Sequence, residues 1–194
     1  MNLKSLYLLV LLICCISCHS RDQEAGNTDM QFRVDSNNLA EVVRLPEYNL
    51  QYCPPAGWNS AEARTFQERL DKNYTGQIRE VLEVYRDSSS TAFLVVSCLP
   101  DTIGAQAADV QHLDSLAQAA QIWKDIRKGH FEHQGLLFTQ YLLQSPQWVS
   151  FRLFAGEDDP DVRFDYFVSR YIYQNEVRKI ESSIGSIGSL SLFN

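Results

Sequence analysis

Residues 92–99 limit the fold more than any other stretch, because Ala92, Phe93, Leu94, Val95, Val96, Cys98 and Leu99 put apolar side chains at odd and even positions alike. A strand points successive side chains to opposite faces, so such a run is stable only where both faces of a sheet are covered. The flanks agree with a central strand: residues 87–90 (Asp87, Ser88, Ser89, Ser90) form a polar turn and Pro100 closes the run.

The surrounding pattern supplies the covering layers. Tyr48, Leu50 and Tyr52 alternate with polar residues, which predicts a strand over 48–53 that ends at Pro54, Pro55 and Gly57. Asn59 followed by Glu62 resembles a capping box and predicts a helix through Phe66 and Leu70 to about Lys72. Ile78, Val81, Leu82 and Tyr85 fall at i, i+3, i+4 and i+7, predicting a second helical segment. A long amphipathic helix is expected over 107–128, with Leu113, Leu116, Ala120, Trp123 and Ile126 as its buried stripe and Arg127, Lys128 and Gly129 as its C-terminal end. From Leu136 the pattern predicts a meander of strands at 136–143, 148–154, 164–173 and 177–184, with turns at Ser145-Pro146 and Gln174-Asn175. Helices in the first half and strands in the second imply an α+β fold, an αβα sandwich whose mainly antiparallel sheet is covered by helices.

The N-terminus places this domain. Lys4 precedes an apolar stretch over residues 6–16, which ends at Cys15, Ile16, Ser17 and Cys18 before the chain turns polar. An h-region this short belongs to a secretory signal rather than to a membrane-spanning helix. The small Ser17 before Cys18 resembles the lipobox of bacterial lipoproteins, although Cys15 occupies a position that usually holds an aliphatic or small residue. The expected organisation is a lipoprotein signal peptide over 1–17, a lipidated Cys18 opening a flexible tether over 18–31, and a single domain over 32–194. The alternative is an ordinary signal peptide cut near Ser17 or Ser20. Several acyl chains, at roughly 0.8 kcal/mol per buried CH₂, would hold the protein at a membrane permanently. The expected location is the bacterial cell envelope, at the outer membrane.

Charge narrows the partners. The 17 basic residues less Lys4 leave 16 against 24 acidic ones, a formal charge of −8 after cleavage. An acidic chain without a basic run is unsuited to nucleic acid or anionic headgroups. With 45% apolar residues it has material for a core, so disorder is excluded for the domain.

Two motifs carry a family resemblance. The aromatic strand Tyr48, Leu50, Tyr52 leading into Pro54, Pro55, Gly57 and Trp58 resembles the opening strand and P-x-G-W turn of the PsbP superfamily. Residues 178–187, which include Glu181, Ser182, Ser183, Ile184, Gly185, Ser186 and Ile187, resemble its terminal strand. Members of that superfamily serve as an extrinsic photosystem subunit, a nuclear import factor and bacterial lipoproteins. The resemblance implies an αβα sandwich and a binding or assembly role, and it carries over no catalytic residues.

Each candidate site has a plain structural alternative. His130 and His133, with Glu132 between them, would face opposite sides of a strand and so not share a metal. Glu157, Asp158, Asp159 and Asp161 offer oxygen ligands without EF-hand spacing and read as a charged hairpin loop. Ser183, Ile184, Gly185 and Ser186, with Gly188 and Ser189, lack the flanks of a nucleophile elbow and suit a strand that approaches other backbone closely. Asn73, Tyr74 and Thr75 match a glycosylation consensus without meaning in a bacterial lipoprotein. Cys53 and Cys98 are either a disulfide, which an oxidising envelope permits, or two buried thiols. Tyr166, Phe167, Tyr171 and Tyr173 crowd one expected strand and form a candidate interaction surface, against the alternative that helices bury them.

The expectation is therefore a noncatalytic, membrane-anchored binding or assembly module, with no cofactor or metal and with an envelope protein or glycan as partner. An envelope hydrolase with an unrecognised site and a carbohydrate-binding accessory protein are the alternatives.

Overall fold

In the computed structural model the described residues are 28–29, 32–73, 80–99, 125–155 and 162–192. Cys18, the signal segment, most of the tether, the acidic loop with Glu157, Asp158, Asp159 and Asp161, and the stripe from Leu113 to Trp123 lie outside them.

The apolar run becomes strand β6 (Ala92–Cys98) of an eight-stranded sheet. Its other strands are β1 (Thr28–Asp29), β4 (Asn59–Ala61), β5 (Glu80–Arg86), β7 (Asp125–His133), β8 (Leu136–Gln144), β9 (Trp148–Ala155) and β10 (Val162–Ser169), in the order β1-β7-β8-β9-β10-β6-β5-β4. Every pairing is antiparallel except that of β1 with β7. A second sheet of β2 (Val43–Leu45), β3 (Leu50–Tyr52) and β11 (Gly188–Ser189) runs β11-β3-β2. Two helices complete the described fold, α1 (Ala63–Asn73) and α2 (Tyr173–Gly185).

Both faces of β6 are covered, as its composition demands. Ala92, Leu94 and Val96 join Phe164, Tyr166, Leu153 and Phe138 in the main core, closed by Leu50 and Tyr52 of β3 and by Ile180 and Ile184 of α2. On the opposite face Val95 packs with Val81 and Val84 beneath Ala63 and Phe66 of α1. Tyr141, Leu143, Phe154 and Leu99 form a further cluster there. The result is an α+β sandwich with a mainly antiparallel sheet. At roughly 25 cal/mol per Å² of apolar surface removed from water, these three clusters dominate the stability.

Three expectations change. Residues 78–85 were expected to be helical, but residues 80–86 form strand β5, whose register shifts between Val81 and Glu83. The bulge leaves Val81 and Val84, three apart, on one face, so a strand carries a helix-like spacing. The helix end expected at Arg127, Lys128 and Gly129 is part of β7. The last expected strand, 177–184, and its Gln174-Asn175 turn are α2, and β10 stops at Ser169. Ile180 and Ile184 are buried at helical spacing, and their β-branched side chains had favoured a strand. The helix is decided by what it packs on.

Candidate binding cleft

The two family-like motifs meet at α2. The serines at its C-terminal end hold two other segments of the chain. The Asp35 amide donates to Ser182 Oγ at 3.2 Å, which ties down the segment over residues 32–38 that follows β1. Ser183 Oγ donates to the Cys53 carbonyl at 2.6 Å and lies 2.9 Å from the Tyr166 hydroxyl. A serine has one hydroxyl hydrogen, so Tyr166 donates to Ser183. Burial pushes the Tyr166 hydroxyl above its ordinary pKa and keeps the donor protonated. The Cys53 amide donates to Ser186 Oγ at 2.8 Å, and Ser186 donates to the Ser183 carbonyl at 2.6 Å.

The Pro54-Pro55-Gly57-Trp58 turn packs on the same helix. Trp58, 5% exposed, donates through Nε1 to Glu176 Oε2 at 2.9 Å, and Glu176 also pairs with Lys179 at 3.0 Å. Backbone bonds from Ala40 to Pro54 and from Ala56 to Asn38, 2.8 Å each, join the turn to the chain after the 32–38 segment. Gly57 stands at φ 78°, where a side chain would be strained.

Residues 32–38 thus form a strap along α2. Phe32 packs against the rings of Phe131 and His133, at centroid distances of 5.3 and 5.0 Å. Gly185 makes room: a Cβ there would stand 2.6 Å from Phe32 Cβ and 2.8 Å from Val34 Cγ2. His133 Nε2 and Gln134 Nε2 both reach the Gly185 carbonyl, at 2.8 and 3.0 Å, and satisfy a helix-end acceptor.

Between strap and helix opens a cleft of about 280 Å³, lined by Arg33, Asp35, Asn38, Arg178, Glu181 and Ser182. Arg178, Glu181 and Ser182 share one helix face at i, i+3 and i+4. A second cleft of about 370 Å³ lies beneath α1, with Phe66, Phe93 and Val84 as its floor and Glu62 and Arg86 among its polar groups.

The opposite face of the main sheet holds a buried ionic cluster. Asp165, 3% exposed, accepts from Arg152 Nε at 2.6 Å and pairs with Arg163 Nε at 2.8 Å. Burial alone would raise the Asp165 carboxyl, but the two guanidiniums outweigh it and hold the group below its ordinary range. Sequence reasoning passed over this cluster; the charges Arg163 and Asp165 inside an otherwise apolar strand were its signal.

The expected site residues disperse. Tyr166 is fully buried in the core, Phe167 is half-buried on the opposite face beside Phe93, and Tyr173 stacks on Phe151. Only Tyr171 is fully displayed, at 93% exposure, so the four do not form one surface. Cys53 and Cys98 are free thiols. Burial, only partly offset by the neighbouring Ser186 side chain, raises the Cys53 thiol pKa, which makes it a weak nucleophile. His130 bonds Thr139 at 3.1 Å while His133 bonds Gly185 across the sheet, so the two histidines face apart. Among the described residues no group of three or more His, Cys, Asp or Glu is placed to hold a metal.

No family model and no curated protein matches the chain. Among solved structures, the chain is similar to the solution structure of cyanobacterial PsbP from Synechocystis sp. PCC 6803, at 13% identity and a TM-score of 0.48, over 78% of this chain and 93% of that one.

Proposed function

We propose that this protein is a noncatalytic binding or assembly module of the bacterial cell envelope, held at the outer membrane through a lipidated Cys18, with an envelope protein or glycan as partner. One observation carries the binding reading: the strap that leads back toward Cys18 forms one wall of an open cleft lined by charges of both signs. The groups that a hydrolase would recruit near it are otherwise committed. Ser182 and Ser183 stitch segments together, Glu176 holds Trp58 and Lys179, and Cys53 is kept as a thiol. A surface with fixed, exposed charges suits recognition, and the committed hydroxyls favour binding over nucleophilic catalysis.

The test is fractionation of envelope membranes from cells carrying the native chain or Cys18→Ala, followed by mild-detergent capture and mass spectrometry. The expected result is membrane retention lost in Cys18→Ala, together with a stoichiometric partner whose capture depends on anchorage. Unchanged retention refutes the anchor. Turnover of an envelope glycan or ester by the purified chain refutes the noncatalytic reading.

A further inference from the structure

The cleft between strap and α2 has both walls fixed before any ligand arrives. Its helix wall is locked by Ile180 and Ile184 in the core. Its strap wall is held by the Asp35–Ser182 bond, by Asp35 Oδ1 accepting from the Asn37 amide at 3.0 Å, and by the Asn38 carbonyl accepting from Ala56. Preorganised walls reduce the ordering cost of binding.

Three of its four charges are unspent, and Asp35 commits only one carboxylate oxygen, to Asn37. Arg33, Arg178 and Glu181 make no hydrogen bond or ion pair among the described residues, and the neighbouring Lys179 turns instead to Glu176. Two guanidiniums and two carboxylates therefore line one concavity without neutralising each other. A simple anion there would meet Asp35 and Glu181, and a simple cation would meet Arg33 and Arg178. Each is disfavoured by like charge, which selects a ligand carrying both signs. At about 280 Å³ the cleft stands at the small end of the range of small-molecule sites.

We propose that this cleft binds a small zwitterion of the phosphoethanolamine class, with the oxyanion on Arg33 and Arg178 and the ammonium on Glu181 and Asp35. The planar guanidinium forks match phosphate oxygens, and the ammonium donates to carboxylates. The site deepens the binding reading above. A lipid headgroup is one source of this chemistry, since Arg33 follows Cys18 by 15 residues, a reach of at most about 50 Å; a free zwitterion is the other.

The experiment is calorimetric titration of the full chain, lipidated and as Cys18→Ala, with glycerophosphoethanolamine, and with glycerophosphate and ethanolamine as single-charge controls. Glycerophosphoethanolamine is expected to bind at least tenfold more tightly than either control. Arg33→Gln and Arg178→Gln should each weaken it about tenfold, and Glu181→Gln should erase the preference over glycerophosphate. These residues are exposed at the cleft, so unchanged unfolding midpoints verify the variants. No binding, equal binding of glycerophosphate, or indifference to all three substitutions overturns the proposal. Flotation of Cys18→Ala with phosphatidylethanolamine–phosphatidylglycerol vesicles, against phosphatidylglycerol alone, separates the sources: selective retention competed by the free headgroup supports a lipid, and binding without retention supports a free zwitterion. Headgroup binding by a chain that proves unanchored would refute the Cys18 reading and leave the cleft intact.

Discussion

Replacing Ser183 with alanine cuts a relay that crosses 130 residues of sequence. The wild-type hydroxyl accepts from Tyr166 at 2.9 Å and donates to the Cys53 carbonyl at 2.6 Å, with Ser183 and Tyr166 both fully buried. In Ser183→Ala the Tyr166 hydroxyl keeps its proton and loses its acceptor, at about 1–3 kcal/mol for an orphaned buried donor. The Cys53 carbonyl loses its bond, and Ser186 Oγ, 3.3 Å away, can replace it only by turning its one hydrogen from the Ser183 carbonyl, an exchange that adds about 0.5–1 kcal/mol. The sum, about 1.5–4 kcal/mol, corresponds to a fall of roughly 3–16 °C in Tm for a domain of this size. Tyr166→Phe leaves Ser183 still bonded to Cys53 and should cost about 1 kcal/mol. The double variant has no orphaned phenol, so its cost should fall short of the two single costs added together by at least 1 kcal/mol. Urea unfolding followed by circular dichroism measures all four corners of this cycle. Additivity within about 0.5 kcal/mol, or a Ser183→Ala cost below that figure, refutes the assignment of Ser183 as the acceptor of Tyr166.

Gly185→Ala should destabilise by about 1–3 kcal/mol despite alanine's better helix propensity, because its Cβ meets Phe32 and Val34; cleavage within 32–38 by a protease should accelerate, and a stabilised variant would contradict the strap. Asp165→Asn should cost about 3–5 kcal/mol by withdrawing the carboxylate shared by Arg152 and Arg163. Because the folded carboxyl titrates below its unfolded value near 3.9, its contribution is complete above that pH and disappears as pH falls through the lower folded value. The urea midpoint of the wild type should therefore drop on acidification more steeply than that of Asp165→Asn, and parallel curves would refute the pairing. Trp58→Phe should lose about 1.5–3 kcal/mol through the bond to Glu176, and Glu176→Gln should recover part of that deficit in the double variant, measured by the same unfolding assay.

The elements that read correctly from sequence are those in which local pattern and tertiary surroundings agree. Ala92 to Cys98 had to be a two-sided strand, and the alternation around Phe138, Tyr141 and Leu143 had to be part of a meander. The helix through Phe66 is present, but not from the Asn59–Glu62 capping box: Asn59 to Ala61 pair as edge strand β4, and the helix starts at Ala63. Where the readings failed, two periods competed. The bulge at Val81 and Glu83 gave β5 a helical spacing, and the β-branched Ile180 and Ile184 gave α2 the composition of a strand. The strand expected to approach other backbone around Gly185 is instead the end of α2, crowded by the Phe32 and Val34 side chains of the strap through contacts more than 140 residues apart.

From sequence alone follow an apolar N-terminal stretch that ends at Cys18, an excess of acidic over basic residues, and a strand that must be covered on both faces, because composition and periodicity are properties of neighbours along the chain. Tertiary structure alone decided that Tyr166 lies in the core while Tyr171 is displayed, that Cys53 and Cys98 stay apart, and that Arg33 and Arg178 line one cleft. Those outcomes depend on which face a side chain takes and on which distant segment packs against it. A one-residue change of register or a single bulge reverses the face without changing the sequence pattern, so only the packed fold fixes them.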